Sequence, residues 1–205
     1  MQLASAKTGN FYSGINDPRL VSIISEDRGL ETYLYDAVRQ HPELVDLSTL
    51  ECLTRRAAAL LGASNLVLLE KIPFRIDCPM VMRELAVWHQ DHFYVKGDVE
   101  TITAWIPLQD TCFSEGSLMV MPRSHASGPL LHDVNVLQKK FYPSSIFGRE
   151  VRYVEVKRGD VLFFHSCLLH SSGNNISNVI RYSVQARYLC ANSESDPLMG
   201  ERITI

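Results

Sequence analysis

From Asn65 onward the chain changes character: short runs rich in β-branched, aliphatic and aromatic residues are broken by Gly, Pro, Asn and Asp. Such a pattern predicts many short strands joined by turns, which close into a sandwich or barrel. Strands are expected over 66–71, 84–88, 101–108, 117–121, 151–156, 160–164 and 181–189. Turns are expected at Gly97-Asp98, Glu115-Gly116 and Arg158-Gly159-Asp160. The fold class that accommodates this count is mainly β with flanking α: a jelly roll of two facing sheets, with helices packed outside one of them.

Residues 1–64 are helical in character. Asp17-Pro18 is a cap followed by a first-turn proline, with Leu20, Val21, Ile23 and Ile24 behind it. A second helix is predicted from Gly29 or Leu30 to just before Pro42. Ser48-x-x-Glu51 fits a capping box for a third, in which Leu50, Leu53, Ala57, Leu60 and Leu61 recur at helical spacing and Gly62 ends the run. At 205 residues and 23.2 kDa, one domain is expected: a helical part over 1–64 and a jelly-roll core over 65–192. Residues 124–149 form a long irregular stretch, read as part of a lid over the site.

Charge and composition exclude several partners. A net charge of -3 and a pI near 6.2 give no bulk attraction to nucleic acid or anionic lipid. Arg55-Arg56 and Lys139-Lys140 are too short to make a basic patch. Apolar runs such as Leu66 to Leu69 fall well below the roughly 18 residues of a membrane span. Met1 to Asn10 carry neither the charged start nor the apolar stretch of a secretory signal, so a cytoplasmic protein acting on a small molecule is expected. Five widely spaced cysteines include no Cys-x-x-Cys pair and read as reduced thiols.

The chemistry concentrates in Trp88-His89-Gln90-Asp91. In an extended strand, residues i and i+2 share a face, so His89 and Asp91 can grip one ion while Gln90 points elsewhere, toward the support of the site or its substrate side. Two imidazoles and a carboxylate on one side of a metal leave the opposite positions open, which suits oxygen-activating non-haem Fe(II) enzymes. His-x-Asp alone is a weak signal, since roughly 0.8 chance occurrences of His-x-acid are expected at this composition. His41-Pro42-Glu43 has the same spacing, but it sits at a helix end with proline, where no strand aligns the pair. On spacing alone, a metal-ligand role for His89 and Asp91 stands level with the alternative of a surface pair or a buried hydrogen-bonded histidine.

Several motifs in order carry a resemblance. WHQD at Trp88 to Asp91, TAWIPLQD at Thr103 to Asp110, EGSLMVMPRSH at Glu115 to His125 and GDVLFFHSCLLHSS at Gly159 to Ser172 resemble the phytanoyl-CoA dioxygenase family of Fe(II)- and 2-oxoglutarate-dependent oxygenases. The resemblance runs from Lys71 to Leu189 and implies a double-stranded β-helix, with Fe(II) as metal and 2-oxoglutarate and O2 as co-substrates. Residues 1–64 match weakly. The family's triad falls on His89, Asp91 and a second histidine, with His165 and His170 as candidates. The pattern favours His170, because Arg181 follows eleven residues later.

A planar guanidinium at Arg181 can hold the distal carboxylate of 2-oxoglutarate through two parallel hydrogen bonds, with Ser183 on the same strand face; a structural ion pair is the alternative. Trp105 resembles the family's aromatic wall beside the co-substrate, and Lys71 is a further candidate to reach it. Arg123 stands where family members more often carry glycine, and reads as a substrate contact at the pocket mouth or as a solvated loop charge. The implied reaction is hydroxylation of a C–H bond in a small metabolite or natural-product intermediate, with release of succinate and CO2. The alternative is a non-catalytic or 2-oxoglutarate-independent cupin-like metal-binding protein. The carboxylate of Asp91 argues against halogenation, which needs that position vacated.

Overall fold

Three of the amino-terminal helices begin where the sequence supplies a cap. In the computed structural model, which describes residues 1–81, 87–95, 99–135, 140–143, 150–191 and 202–204, five helices come first. They are α1 (Gln2–Thr8), α2 (Pro18–Glu26), α3 (Arg28–Arg39), α4 (Pro42–Ser48) and α5 (Glu51–Leu61). The Asp17 carboxylate accepts from the Arg19 N–H at the start of α2, and the Asp27 carboxylate from the Leu30 N–H at the start of α3. Gly62 ends α5 at φ 62°, a left-handed conformation that glycine adopts without penalty.

Two details differ from expectation. Pro42 does not merely follow a helix; it opens α4 from the first-turn position, where its missing N–H costs nothing. Ser48, expected to cap α5, is instead the last residue of α4, and its hydroxyl donates to the Leu44 carbonyl at 2.8 Å. Leu50 precedes α5 without a side-chain cap.

The strands are β1 (Leu66–Leu69), β2 (Phe74–Asp77), β3 (Thr101–Pro107), β4 (Leu118–Val120), β5 (His132–Asn135), β6 (Lys140–Pro143), β7 (Arg152–Val154), β8 (Leu162–His165), β9 (His170–Ser172), β10 (Arg181–Cys190) and β11 (Arg202–Thr204). A short helix, α6 (His92–Val95), lies between β2 and β3. The larger sheet has the order β11-β1-β10-β3-β8, with β2 also paired to β10. β1 and β2 lie end to end along one edge of β10, one opposite its last residues and the other opposite its first. β7-β4-β9 form the smaller sheet, and all the strand pairings are antiparallel. These sheets and the helices outside them make the jelly roll. The expected strand over 84–88 falls largely outside the described residues; Val87 and Trp88 are not extended, and His89 makes a single bridge to His170. The turn at Gly97-Asp98 also lies outside them. The stretch expected to be irregular, 124–149, holds a 3-10 turn at Ser124–Ser127 and the β5–β6 hairpin, while 136–139 and 144–149 lie outside the described residues.

Alternation along β10 decides what each face of the larger sheet does. Val184, Ala186 and Tyr188 join Ala104 and Ile106 of β3 and Phe74 and Ile76 of β2 in one core with the helix residues Leu20, Ile24, Leu30, Leu44 and Leu53. The Tyr188 hydroxyl donates to the Ser48 carbonyl at 2.6 Å and ties the end of α4 to the sheet. The intervening residues Arg181, Ser183, Gln185 and Arg187 face the other way, into the space between the sheets. Among the described residues, no helix is long and apolar enough to cross a membrane.

Where the loop after β9 meets the one before β4, two glycines allow backbone contact. A Cβ on Gly173 would lie 2.6 Å from the Ser117 carbonyl oxygen, and one on Gly116, at φ 76°, 2.6 Å from the Gly173 oxygen. Gly173→Ala should lower the unfolding free energy by about 1–3 kcal/mol, the range of overpacked sites. Gly14→Ala, where a Cβ meets nothing within 4 Å, should change it far less; urea unfolding of the two variants checks this.

Candidate metal and co-substrate site

His89 and Asp91 flank the bend that leads into α6, and His170 opens β9 beside them through the His89–His170 bridge. Their ligand atoms lie within 4.8 Å of one another, and all three residues are buried. Asp91 Oδ1 is 3.7 Å from His89 Nε2 and 3.9 Å from His170 Nε2. Each imidazole is oriented from behind: His89 Nδ1 lies 2.6 Å from the Val87 carbonyl and His170 Nδ1 2.9 Å from the Leu168 carbonyl. Donating from Nδ1 leaves the Nε2 lone pair for a metal.

The electrostatics favour the ligand forms. Burial pushes the His170 imidazole down to about 4, assisted by neighbouring His89, so it is neutral at ordinary pH. Burial alone would raise the Asp91 carboxyl, yet the Arg187 guanidinium outweighs it and holds the group well below the usual carboxylate range. His165, the other candidate, sits on the opposite face of β8 from Phe164, whose ring lies 4.6 Å from that of His170. Its Nδ1 accepts from the Cys167 N–H and its Nε2 lies 3.7 Å from Glu100, apart from the three converging residues.

Arg181 is directed inward and is 1% exposed. Its Nη2 pairs with Asp77 Oδ2 at 2.7 Å, its Nη1 donates to the Gly116 carbonyl, and its Cζ stands 5.9 Å from the Trp105 ring. Around it lie buried polar atoms without a partner among the described residues: Arg181 Nε, Ser183 Oγ, Trp105 Nε1 and Ser117 Oγ. Buried donors are nearly always satisfied, so this cluster fits a polar ligand such as a carboxylate. Asp77 also receives the Arg75 Nη2 at 3.0 Å. Burial would raise its carboxyl, but Arg181 and Arg75 draw it down to about 2.

The remaining sequence candidates lie elsewhere. Gln90 is wholly buried and its amide is committed to backbone: Nε2 donates to the Gly128 and Cys167 carbonyls, and Oε1 accepts from the Leu130 N–H. Those bonds tie it to the loop at Gly128–Leu130 and to the corner between β8 and β9. Lys71 is exposed beyond the end of β1, apart from the Arg181 cluster. Arg123 is exposed at φ 62°, a left-handed conformation that glycine adopts without penalty. Three residues escaped sequence reading. Arg187 bonds to both oxygens of Asp91, Thr103 bonds to Oδ2, and Gln185 Oε1 accepts from Arg187 Nη2 at 3.1 Å. The signal was present in the strand parity, since Arg187 shares a face with Arg181 and Ser183, and Thr103 with Trp105.

The sequence model of phytanoyl-CoA dioxygenase (PhyH) matches residues 28–183, most of the chain, including His89, Asp91, His170, Arg181 and Ser183. The chain belongs to the PhyH family. Fe(II), 2-oxoglutarate and O2 are the metal and co-substrates of that family, and the donor set here fits them. Among curated PhyH relatives, it is similar to 1-deoxypentalenic acid 11-beta-hydroxylase of Streptomyces exfoliatus, 35% identical over 97 residues that cover 43% of this chain and 34% of that protein. Phytanoyl-CoA dioxygenase 1 of Oryza sativa subsp. japonica is 31% identical over 100 residues, 47% of this chain and 36% of the relative. The chain thus spans about a third of the length of the curated relatives it matches. Its fold is similar to that of the epimerase SnoN in complex with Fe3+, alpha ketoglutarate and nogalamycin RO, with a TM-score of 0.63 at 24% identity over 80% of this chain and 64% of the other. The carbocyclase SnoK has the same fold, with a TM-score of 0.63 at 22% identity over 78% and 64%.

The Asp77 pairing has a measurable consequence. With the folded carboxyl near 2 and an unfolded value near 3.9, its stabilisation is complete above about pH 4 and disappears as pH falls toward 2. The loss is on the order of 2 kcal/mol. Asp77→Asn should therefore be less stable at neutral pH and show a shallower decline between pH 4 and pH 2, as followed by urea unfolding.

Proposed function

We propose that this chain is an Fe(II)- and 2-oxoglutarate-dependent oxygenase that hydroxylates a C–H bond of a small metabolite or natural-product intermediate. The observation that carries the reading is the convergence of His89, Asp91 and His170 on one point with their outward atoms free, beside unsatisfied donors around Arg181. When bound, the metal supplies oxygen activation while the keto acid loses CO2, so one oxygen atom ends in succinate and the other in the product hydroxyl.

The protein's part is to bind and orient. The two backbone-oriented imidazoles and Asp91 hold the ion from one side. Arg181, Ser183 and the Trp105 indole N–H receive the distal carboxylate of the keto acid. The guanidinium then shares its charge between that carboxylate and Asp77, which in the ligand-free protein keeps Arg181 pointed inward. Trp105, Phe164, Leu118 and Val120 pack as one apolar cluster beside the site and keep water from it. A small-molecule substrate is consistent with relatives whose names include a hydroxylase, an epimerase and a carbocyclase.

One observation favours a second reading. Both terminal nitrogens of Arg181 already have protein partners, as they would in a metal-binding cupin-like protein that uses no keto acid. Anaerobic addition of Fe(II) and 2-oxoglutarate separates the two. The oxygenase reading expects a weak visible charge-transfer band, absent in His170→Ala. Arg181→Gln should bind 2-oxoglutarate about ten- to hundredfold more weakly, as expected for losing charge-assisted hydrogen bonds. Succinate release stimulated by members of a metabolite panel would identify the substrate. Metal binding without the band, and with no succinate from any compound, would favour the second reading.

A further inference from the structure

The two oxygens of Asp91 are treated differently by their surroundings. Oδ2 accepts from Thr103 Oγ1 at 2.6 Å and from Arg187 Nε at 3.2 Å. Among the described residues, Oδ1 accepts only from Arg187 Nη2, at 2.8 Å, and it is the oxygen that faces both imidazoles. A carboxylate oxygen offers two lone-pair directions. Those of Oδ2 are therefore both taken, while Oδ1 retains one, pointed at the site.

We propose that Arg187, with Thr103 on its other side, is a positioning residue that confines Asp91 to ligating the metal through Oδ1 alone. The inference rests on the oxygenase reading, and it supplies what that reading requires. A carboxylate bound through both oxygens would take one of the open positions that a chelating keto acid and oxygen must share. The fork of an arginine suits the task because its nitrogens meet both carboxylate oxygens in one plane, which a lysine ammonium cannot do. Arg187 is itself held: Gln185 Oε1 accepts from Nη2, and the side chain is 5% exposed. Thr103 and Arg187 are register partners on β3 and β10, so two neighbouring strands set the carboxylate from two sides. The remaining nitrogen, Arg187 Nη1, is buried without a partner among the described residues. An oxygen of a group held beside Asp91 would give it one.

The test uses the full chain and the variants Thr103→Val, Arg187→Lys and Arg187→Gln, each checked for a native near-UV circular dichroism spectrum. Mn2+ affinity is measured without keto acid, and metal-minus-apo infrared difference spectra report the separation of the carboxylate stretches, wide for one-oxygen and narrow for two-oxygen ligation. The wild type should bind Mn2+ with a wide separation. Arg187→Gln should bind about ten- to hundredfold more weakly, the range for residues behind a metal ligand, with a narrowed separation. Arg187→Lys should fall between, and Thr103→Val should lose about fivefold. If the wild type binds no Mn2+ or Fe(II), the oxygenase reading fails and this inference with it. If the wild type binds but already shows a narrow separation, or if Thr103→Val and Arg187→Gln match it in affinity and spectrum, the inference alone is overturned. Should Arg187→Gln not fold, Thr103→Val decides by the same two measurements.

Discussion

Two buried arginines on one strand face govern this structure. Arg181 and Arg187 both project from β10 into the space between the sheets, where an uncompensated charge would be prohibitively expensive. Each is met by a carboxylate from a distant part of the chain: Asp77 on β2 for one, Asp91 at the start of α6 for the other. These pairings do more than neutralise. They fix Arg181 at one end of β10 and Arg187 nearer the other, with Ser183 and Gln185 between them on the same face. The opposite face of the strand, with Val184, Ala186 and Tyr188, is ordinary core under the helices.

Much of this was legible in the sequence, for a physical reason. The strands β3 and β10 are long enough for alternation to stand out, and parity alone places Arg181 with Ser183; His89 and Asp91 instead converge across a bend and a single bridge. His170 needed family resemblance to prefer it over His165, because the two flank the same corner, His165 ending β8 and His170 opening β9. The short elements were harder. β2 has four residues and β9 three, too few for a period to register, and β5–β6 sits in a stretch whose Gly and Pro content resembles irregular loop. Pro42 was read as a stop because proline serves both ends of helices. Arg187 was overlooked because its meaning lies in a partner 96 residues away, which no local pattern reports.

The family assignment and the site geometry bear on different questions. Membership in the PhyH family rests on a match over most of the chain, whereas the relatives and structural neighbours carry different names, among them a hydroxylase, an epimerase and a carbocyclase. Arg123 and Lys71 are exposed, and the apolar cluster of Trp105, Phe164, Leu118 and Val120 meets the site at Phe164, whose ring lies 4.6 Å from that of His170.

Gln90 gives the site a second kind of connection. Sitting between His89 and Asp91 in the chain, it grips Gly128, Leu130 and Cys167, while its own N–H is received by His132 Nε2 at 3.1 Å, the first residue of β5. The bend that presents the two ligands and the loop that leads into the β5–β6 hairpin are therefore one hydrogen-bonded unit. Thermodynamic reciprocity follows: any free energy with which an ion steadies that bend also steadies the loop, and any event that pulls the loop aside weakens the grip on the ion by the same amount.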